Sequence, residues 1–346
     1  MRTPSLAKSE SYKVKFYLFS TTLGLAVCML LACLYGTTEI SFQQIVRLVM
    51  GQEKSAELNC IFWELRLPRV IIVILLGAAF AISGAVMQAL TQNPLASPSL
   101  AGLNAGSTLG LLVAMLCLPA MSLEVGMIAS AIGAAVGVML VFAISMLART
   151  NNSPAGLAIS GLIVSMFLSS LTSAILHATS RGYELSFWTM GGLEATRWSH
   201  VNLLLPIFSS AFIFALVLSP ALTALALGSE TATGLGVNVL KIRALALIGV
   251  FILVGSAVAI AGPIGFVGLM VPHIAKRLIG FNYVKVIPLS ALIGGLLLLV
   301  SDTLSRYLTS GALSAGVFTT LVGSIFFIYL ALNAGRIRIR KVEAQK

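Results

Sequence analysis

The chain has 346 residues, 58% of them hydrophobic and 10% charged, with a formal net charge of +11 at pH 7 and a mean hydropathy of +1.01. So little polar surface cannot cover a water-soluble globule of this size, which makes a bilayer the expected solvent. No soluble basic face is available to carry the positive charge, and this argues against a nucleic-acid partner.

Apolar windows of about 20 residues, the length that crosses a hydrocarbon core of about 30 Å as a helix, recur ten times along the chain. The first, at about 16–35, follows a polar start with Arg2, Lys8, Lys13 and Lys15. It reads as an anchor, because its core is longer than that of a signal peptide and no small-x-small cleavage site follows. The others lie at about 70–90, 99–118, 125–148, 155–177, 200–224, 244–262, 264–279, 287–305 and 317–334. The expected fold is therefore all-α and polytopic, one membrane domain over 1–346 with a short start at 1–15 and a tail at 335–346. The longest polar connection, about 36–69, has no room for a soluble domain.

An even number of spans places both termini on one side. With cytoplasmic termini the inner segments hold 15 Lys and Arg and the outer segments seven, as the positive-inside rule requires. The outer seven are Arg47, Lys54, Arg66, Arg69, Arg181, Arg197 and Arg306. Gly102, Gly106 and Gly110 fall on one helix face, as do Gly133 and Gly137, a spacing that lets backbones approach closely in lipid. The outer stretch LSFWTMGGLEATRW reads as a short interfacial helix broken at Gly191 and Gly192, with Trp188 and Trp198 at the membrane surface.

The inner stretch LALGSETATGLGVNVLKIR, 225–243, is too polar to span. Gly228 ends the sixth span and Ser229 caps a short helix. Gly234 and Gly236 turn the chain into a second short helix capped by Asn238. This pattern alone leaves open whether the segment is a re-entrant connector or a docking knob for a cytosolic partner. The eighth span holds FVGLMVPHIAKR, where Pro272 is expected to break or bend the helix, Lys276 and Arg277 to anchor it at the inner surface, and His273 to reach water there.

Catalytic chemistry is hard to place on this sequence. His177, His200 and His273 stand on separate segments without a second ligand at metal-binding spacing. Asp302 is the one aspartate, which leaves no paired-carboxylate site. With Arg306 four residues on, it is expected to form a structural ion pair. Neither a metal nor a cofactor is expected. The chain carries no G-x-x-x-x-G-K-[ST] loop for phosphates, so active transport would take its energy from another subunit or from an ion gradient.

Four stretches carry a resemblance: LRLPRVIIVILLGAAFAISGAVMQALTQNPLASPSLAGLNAGSTLG, the inner LG...A..LGVNV, AGPIGFVGLMVPHIAKRLIG and SDTLSR. In order and spacing they resemble the FecCD family, the permeases of ATP-binding-cassette importers for iron-siderophore complexes, haem and vitamin B12. The resemblance implies the type II importer fold of ten helices per subunit and a bacterial inner-membrane location. It also implies two permease subunits, a cytosolic ATPase dimer and a periplasmic or lipoprotein substrate-binding protein. It assigns ATPase coupling to Ser229, Glu230, Thr231, Ala232, Thr233, Gly234, Leu235, Gly236, Val237 and Asn238. It assigns binding-protein docking to Arg66, Arg69 and Arg306. Gln88, Asn93, Asn104, Ser107 and Thr108, on or beside the second and third spans, could line the path or could equally satisfy neighbouring helix backbones. The chain departs from the family pattern at Ser229, where an acid is common, at Ala312 and Ser314, which replace an acid and a proline, and at Ile325, which replaces a proline. These changes suggest pairing with a different, homologous permease chain. An iron(III)-siderophore chelate is the expected substrate, with vitamin B12 or haem as alternatives. A gradient-driven secondary carrier is the alternative from another class.

Overall fold

The structure, a computed structural model, describes residues 4–36, 40–53, 55–99, 101–118, 120–148, 154–179, 193, 196–309 and 313–343. Its elements are α1 (Pro4–Leu34), α2 (Phe42–Val49), α3 (Ala56–Asn59) running through a π-helical stretch (Cys60–Arg66) into α4 (Leu67–Leu90), α5 (Leu103–Cys117), α6 (Leu123–Leu147) and α7 (Pro154–Ala178). They continue with α8 (Trp198–Ala226), α9 (Ser229–Gly234), α10 (Val239–Ala261), α11 (Val267–Ile279), α12 (Tyr283–Thr309) and α13 (Ala315–Glu343). Each of the ten expected apolar segments falls on one of these helices. Among the described residues, seven helices are long and apolar enough to cross a membrane; α5 and the apolar part of α13 are shorter. The inferred interfacial helix around Trp188, Gly191 and Gly192 lies outside the described residues.

Three details differ from the sequence reading. The connection at 36–69 is largely helical. The amphipathic α2 starts at a capping box in which Ser41 and Gln44 satisfy each other's backbone N–H, and the π-helical turn carries the chain straight into α4. In the eighth segment the break comes before Pro272. Gly262 (φ +68°) and Phe266 (φ +64°) bracket a non-helical stretch, while Pro272 sits inside a helix that runs on to Ile279. Thirteen residues of helix give about 20 Å, too little to span alone, so α11 depends on its neighbours. In the segment 225–243, one short helix forms instead of two. Asn238 does cap a helix, accepting from the Lys241 N–H at 3.0 Å, but that helix is the long α10.

α4 is the axis of the packing. Most of its 24 residues are buried, and α8, α10, α11 and α12 all lie against it. Lipid tails are as apolar as leucine, so what selects these contacts is close packing rather than escape from water. The expected glycine stripes serve this purpose. A methyl group on Gly106 would collide with the Gly133 backbone, and one on Gly137 with Gly102, which explains the tight α5–α6 pair. Further notches, not singled out from the sequence, join Gly77 to Gly294 on α12 and Gly84 to Gly268 on α11.

Candidate functional site

The residues expected to matter gather at the two ends of α4. Arg69 lies in its first turn and Gln92 just past its last, about 35 Å apart at 1.5 Å per residue.

At the Arg69 end, Asp302 on α12 is fully buried. Its Oδ1 accepts from Arg69 Nη2 at 2.7 Å, and Arg69 Nε lies 3.3 Å from both oxygens. Arg306 Nε stands 3.1 Å from Oδ2 as an ion pair, without the alignment of a hydrogen bond. The expected Asp302–Arg306 pair is present, and Arg69 joins it from 233 residues away, clamping the N-terminal end of α4 to the C-terminal part of α12. The side chains of Arg69 and Arg306 are 19% and 9% exposed. Arg66 differs from the docking expectation: it is buried, and its Nη1 donates to the carbonyls of Cys33 and Leu34 at 2.5 and 3.1 Å. Those carbonyls end α1 and have no partner within the helix, so Arg66 caps α1 and faces inward. The π-helical turn before α4 swings it there.

At the opposite end, Gly228 (φ +128°) breaks the chain sharply between α8 and α9. This backbone region belongs essentially to glycine. Gly228 rather than Ser229 is the N-cap. The Ser229 hydroxyl instead accepts from Gln92 Nε2 and Arg243 Nη2, both at 3.1 Å. Of α9 only Ala232 is buried; Glu230, Thr231, Thr233 and Gly234 are exposed. Gly236 (φ +81°) reverses the chain, Val237 is half-buried, and Leu227, Leu235 and Leu240 stand exposed around the turn. The result is a small, glycine-hinged projection with leucines on it.

The polar residues on the second and third spans mostly satisfy backbone. Gln88 donates to Leu269 O on α11 at 3.2 Å and accepts from Lys276 Nζ at 2.5 Å, so Lys276 is buried and not a surface anchor. Asn104 donates to Ile264 O at 3.1 Å, in the middle of the non-helical stretch before α11. Irregular backbone at membrane depth survives only where such partners exist. Asn93 closes a turn onto the Leu95 N–H, and Thr108 bonds back to Asn104 O. Ser107 is buried, with no partner for its hydroxyl. His273, expected to reach water, is half-buried and stands edge-on to Phe326 of α13, ring centres 5.9 Å apart. Among the described residues no cluster of His, Cys, Asp and Glu fit to hold a metal occurs.

The sequence and the fold have counterparts among known proteins. The profile described as the FecCD transport family matches residues 24–333. The chain belongs to that family. This FecCD chain is 41% identical over 297 residues to the Fe(3+)-citrate import system permease protein YfmD of Bacillus subtilis (strain 168), covering 86% of this chain and 88% of the relative. It is 37% identical over 326 residues to the iron-uptake system permease protein FeuB of the same organism, covering 93% and 96%. A solved ABC transporter, described as of the metal-chelate type and in an inward-facing conformation, superposes with a TM-score of 0.77 at 27% identity, covering 91% of this chain and 98% of that one. The FecCD chain is thus a multi-pass permease subunit of an ATP-binding-cassette importer and not an enzyme. ATP hydrolysis belongs to a separate subunit.

Proposed function

We propose that this permease carries an iron(III) chelate, a ferric siderophore or ferric citrate, inward across a bacterial cytoplasmic membrane, with both termini in the cytoplasm. The observation that carries this reading is the leucine-edged α9 projection at one end of the bundle. Its exposed leucines suit a partner surface, in a chain whose relatives are named for ferric citrate and iron uptake. Ser229 to Asn238 act as the coupling segment, received by a cytosolic ATPase dimer whose closure pushes α9 as a rigid body. At the other end Arg69 and Arg306 offer cationic edges to acidic residues of a substrate-binding protein. Both guanidiniums are only partly exposed and share one carboxylate, Asp302, so their residual positive charge would set orientation and on-rate, an effect that weakens with salt. Arg66 is left out of the docking set because it is buried against α1. A second, unlike permease chain completes the path, as the departures at Ala312, Ser314 and Ile325 suggest; Ala312 itself lies outside the described residues.

The test is uptake of radiolabelled ferric siderophores and ferric citrate into proteoliposomes that hold the chain with its co-expressed ATPase, binding protein and partner permease. Uptake that requires both ATP and the binding protein is expected. Uptake that ignores ATP and collapses with the ion gradient would overturn the proposal in favour of a secondary carrier. Uptake of vitamin B12 or haem, but no ferric chelate, would overturn the substrate assignment.

A further inference from the structure

Gln92 follows the cap of α4 with φ +52°, in the left-handed region. Helices commonly end with glycine in this conformation, because a Cβ is disfavoured there. A glutamine pays a backbone penalty that glycine would avoid, so its side chain is the place to look for a compensating role. Its amide nitrogen has two hydrogens and two acceptors in reach: Leu225 O in the last turn of α8 and Ser229 Oγ at the start of α9, each at 3.1 Å. Ser229 Oγ in turn receives Arg243 Nη2 from α10 at 3.1 Å. One hydroxyl therefore joins α4, α9 and α10 beside the Gly228 hinge. One turn back along α4, Gln88 binds Leu269 O and Lys276 of α11, next to the Gly84–Gly268 notch.

From this geometry we propose that Gln92 is a positioning residue for transport: a link that makes the α9 projection move with α4 and, through Gln88, with α11. The inference rests on the reading of α9 as the coupling helix. α9 buries a single side chain, Ala232, and hangs on a glycine at its start, so it has little other purchase on the membrane helices. With the link in place, displacement of α9 pulls on the most buried helix of the permease. Without it, α9 swings about Gly228, and hydrolysis proceeds while the helices stay behind.

The test uses the whole complex in proteoliposomes, with permeases, ATPase and binding protein. It reads ATP hydrolysed per ferric chelate taken up, together with assembly and melting temperature. The informative variant is Gln92→Gly, which removes the side chain and relieves the left-handed strain in one step. The expected result is a complex that assembles and melts no lower than the parent, yet consumes several-fold more ATP per chelate. Ser229→Ala, which also releases Arg243, should give the same uncoupling, and the double variant should add little to either single one, because both cut the Gln92–Ser229 link. An unchanged ATP-to-chelate ratio in Gln92→Gly would overturn the inference. So would failure of that variant to assemble, since Gln92 would then be a packing or docking contact. If the parent complex takes up chelate without ATP, the underlying reading fails instead, and the two failures are distinguished by the parent alone.

Discussion

Asp302→Asn tests the clamp between α4 and α12 most directly. The parent carboxylate is fully buried and, among the described residues, is the one anion paired with Arg69 and Arg306. An asparagine of the same shape keeps one oxygen but turns an NH2 toward a guanidinium whichever way it flips, since Oδ1 faces Arg69 Nη2 and Oδ2 faces Arg306 Nε. Breaking a buried pair by removing one partner costs about 3–5 kcal/mol, against about 0–1 kcal/mol for an exposed pair. The residual exposure of Arg69, 19%, lets water take up part of its charge. The expected loss therefore lies near the lower end, about 3 kcal/mol, roughly a hundredfold in the folding equilibrium. Reversible unfolding of the purified chain in bicelles measures it. Replacing Arg69, Asp302 and Arg306 together by apolar residues of similar size should cost less than Asp302→Asn alone, because no charge is then stranded. A loss under about 1 kcal/mol for Asp302→Asn would show that water solvates the cluster, and would refute the clamp.

Three further outcomes are expected. Gly106→Leu, which drives a side chain into the Gly133 backbone, should destabilise the chain by about 1–3 kcal/mol in the same unfolding assay, whereas Gly234→Ala, which meets open space, should change stability little. Asn104→Leu strands the Ile264 carbonyl and should cost about 1–3 kcal/mol, with the relative uptake rates of different ferric chelates unaltered; a changed preference among chelates would place Asn104 in the path instead. Replacing exposed Leu235 and Leu240 by aspartate should weaken co-purification of the ATPase while the permease alone melts as before.

How far the sequence could be read depends on the range of each interaction. Segment positions depend on hydropathy over a window of residues, so all ten were legible, as were the stripe of Gly102, Gly106 and Gly110 and the Asn238 cap. Asp302–Arg306 was legible too, because four residues on a helix is one turn. Long-range pairings were not. Nothing in LRLPR says that a π-helical turn would send Arg66 under α1 while Arg69, three residues on, reaches Asp302. Pro272 drew the helix break to itself because proline is a strong local signal, yet GPIGF made the break, and its cost is met by Asn104 from another helix.

The same contrast bears on how a permease of this kind can be built. Its polar side chains are few, and Gln88, Gln92 and Asn104 each hold a backbone carbonyl of another segment. A subunit that passes a chelate chosen by a separate binding protein needs few selective contacts of its own. On the proposed function it does need helices that keep their relative positions while α9 is pushed at one end. Glycine notches supply the close fit along α4, and the Asp302 clamp and the Gln92 link fix its two ends. Fixing both ends of one buried helix is a direct way for a displacement at α9 to be felt about 35 Å away, where Arg69 lies.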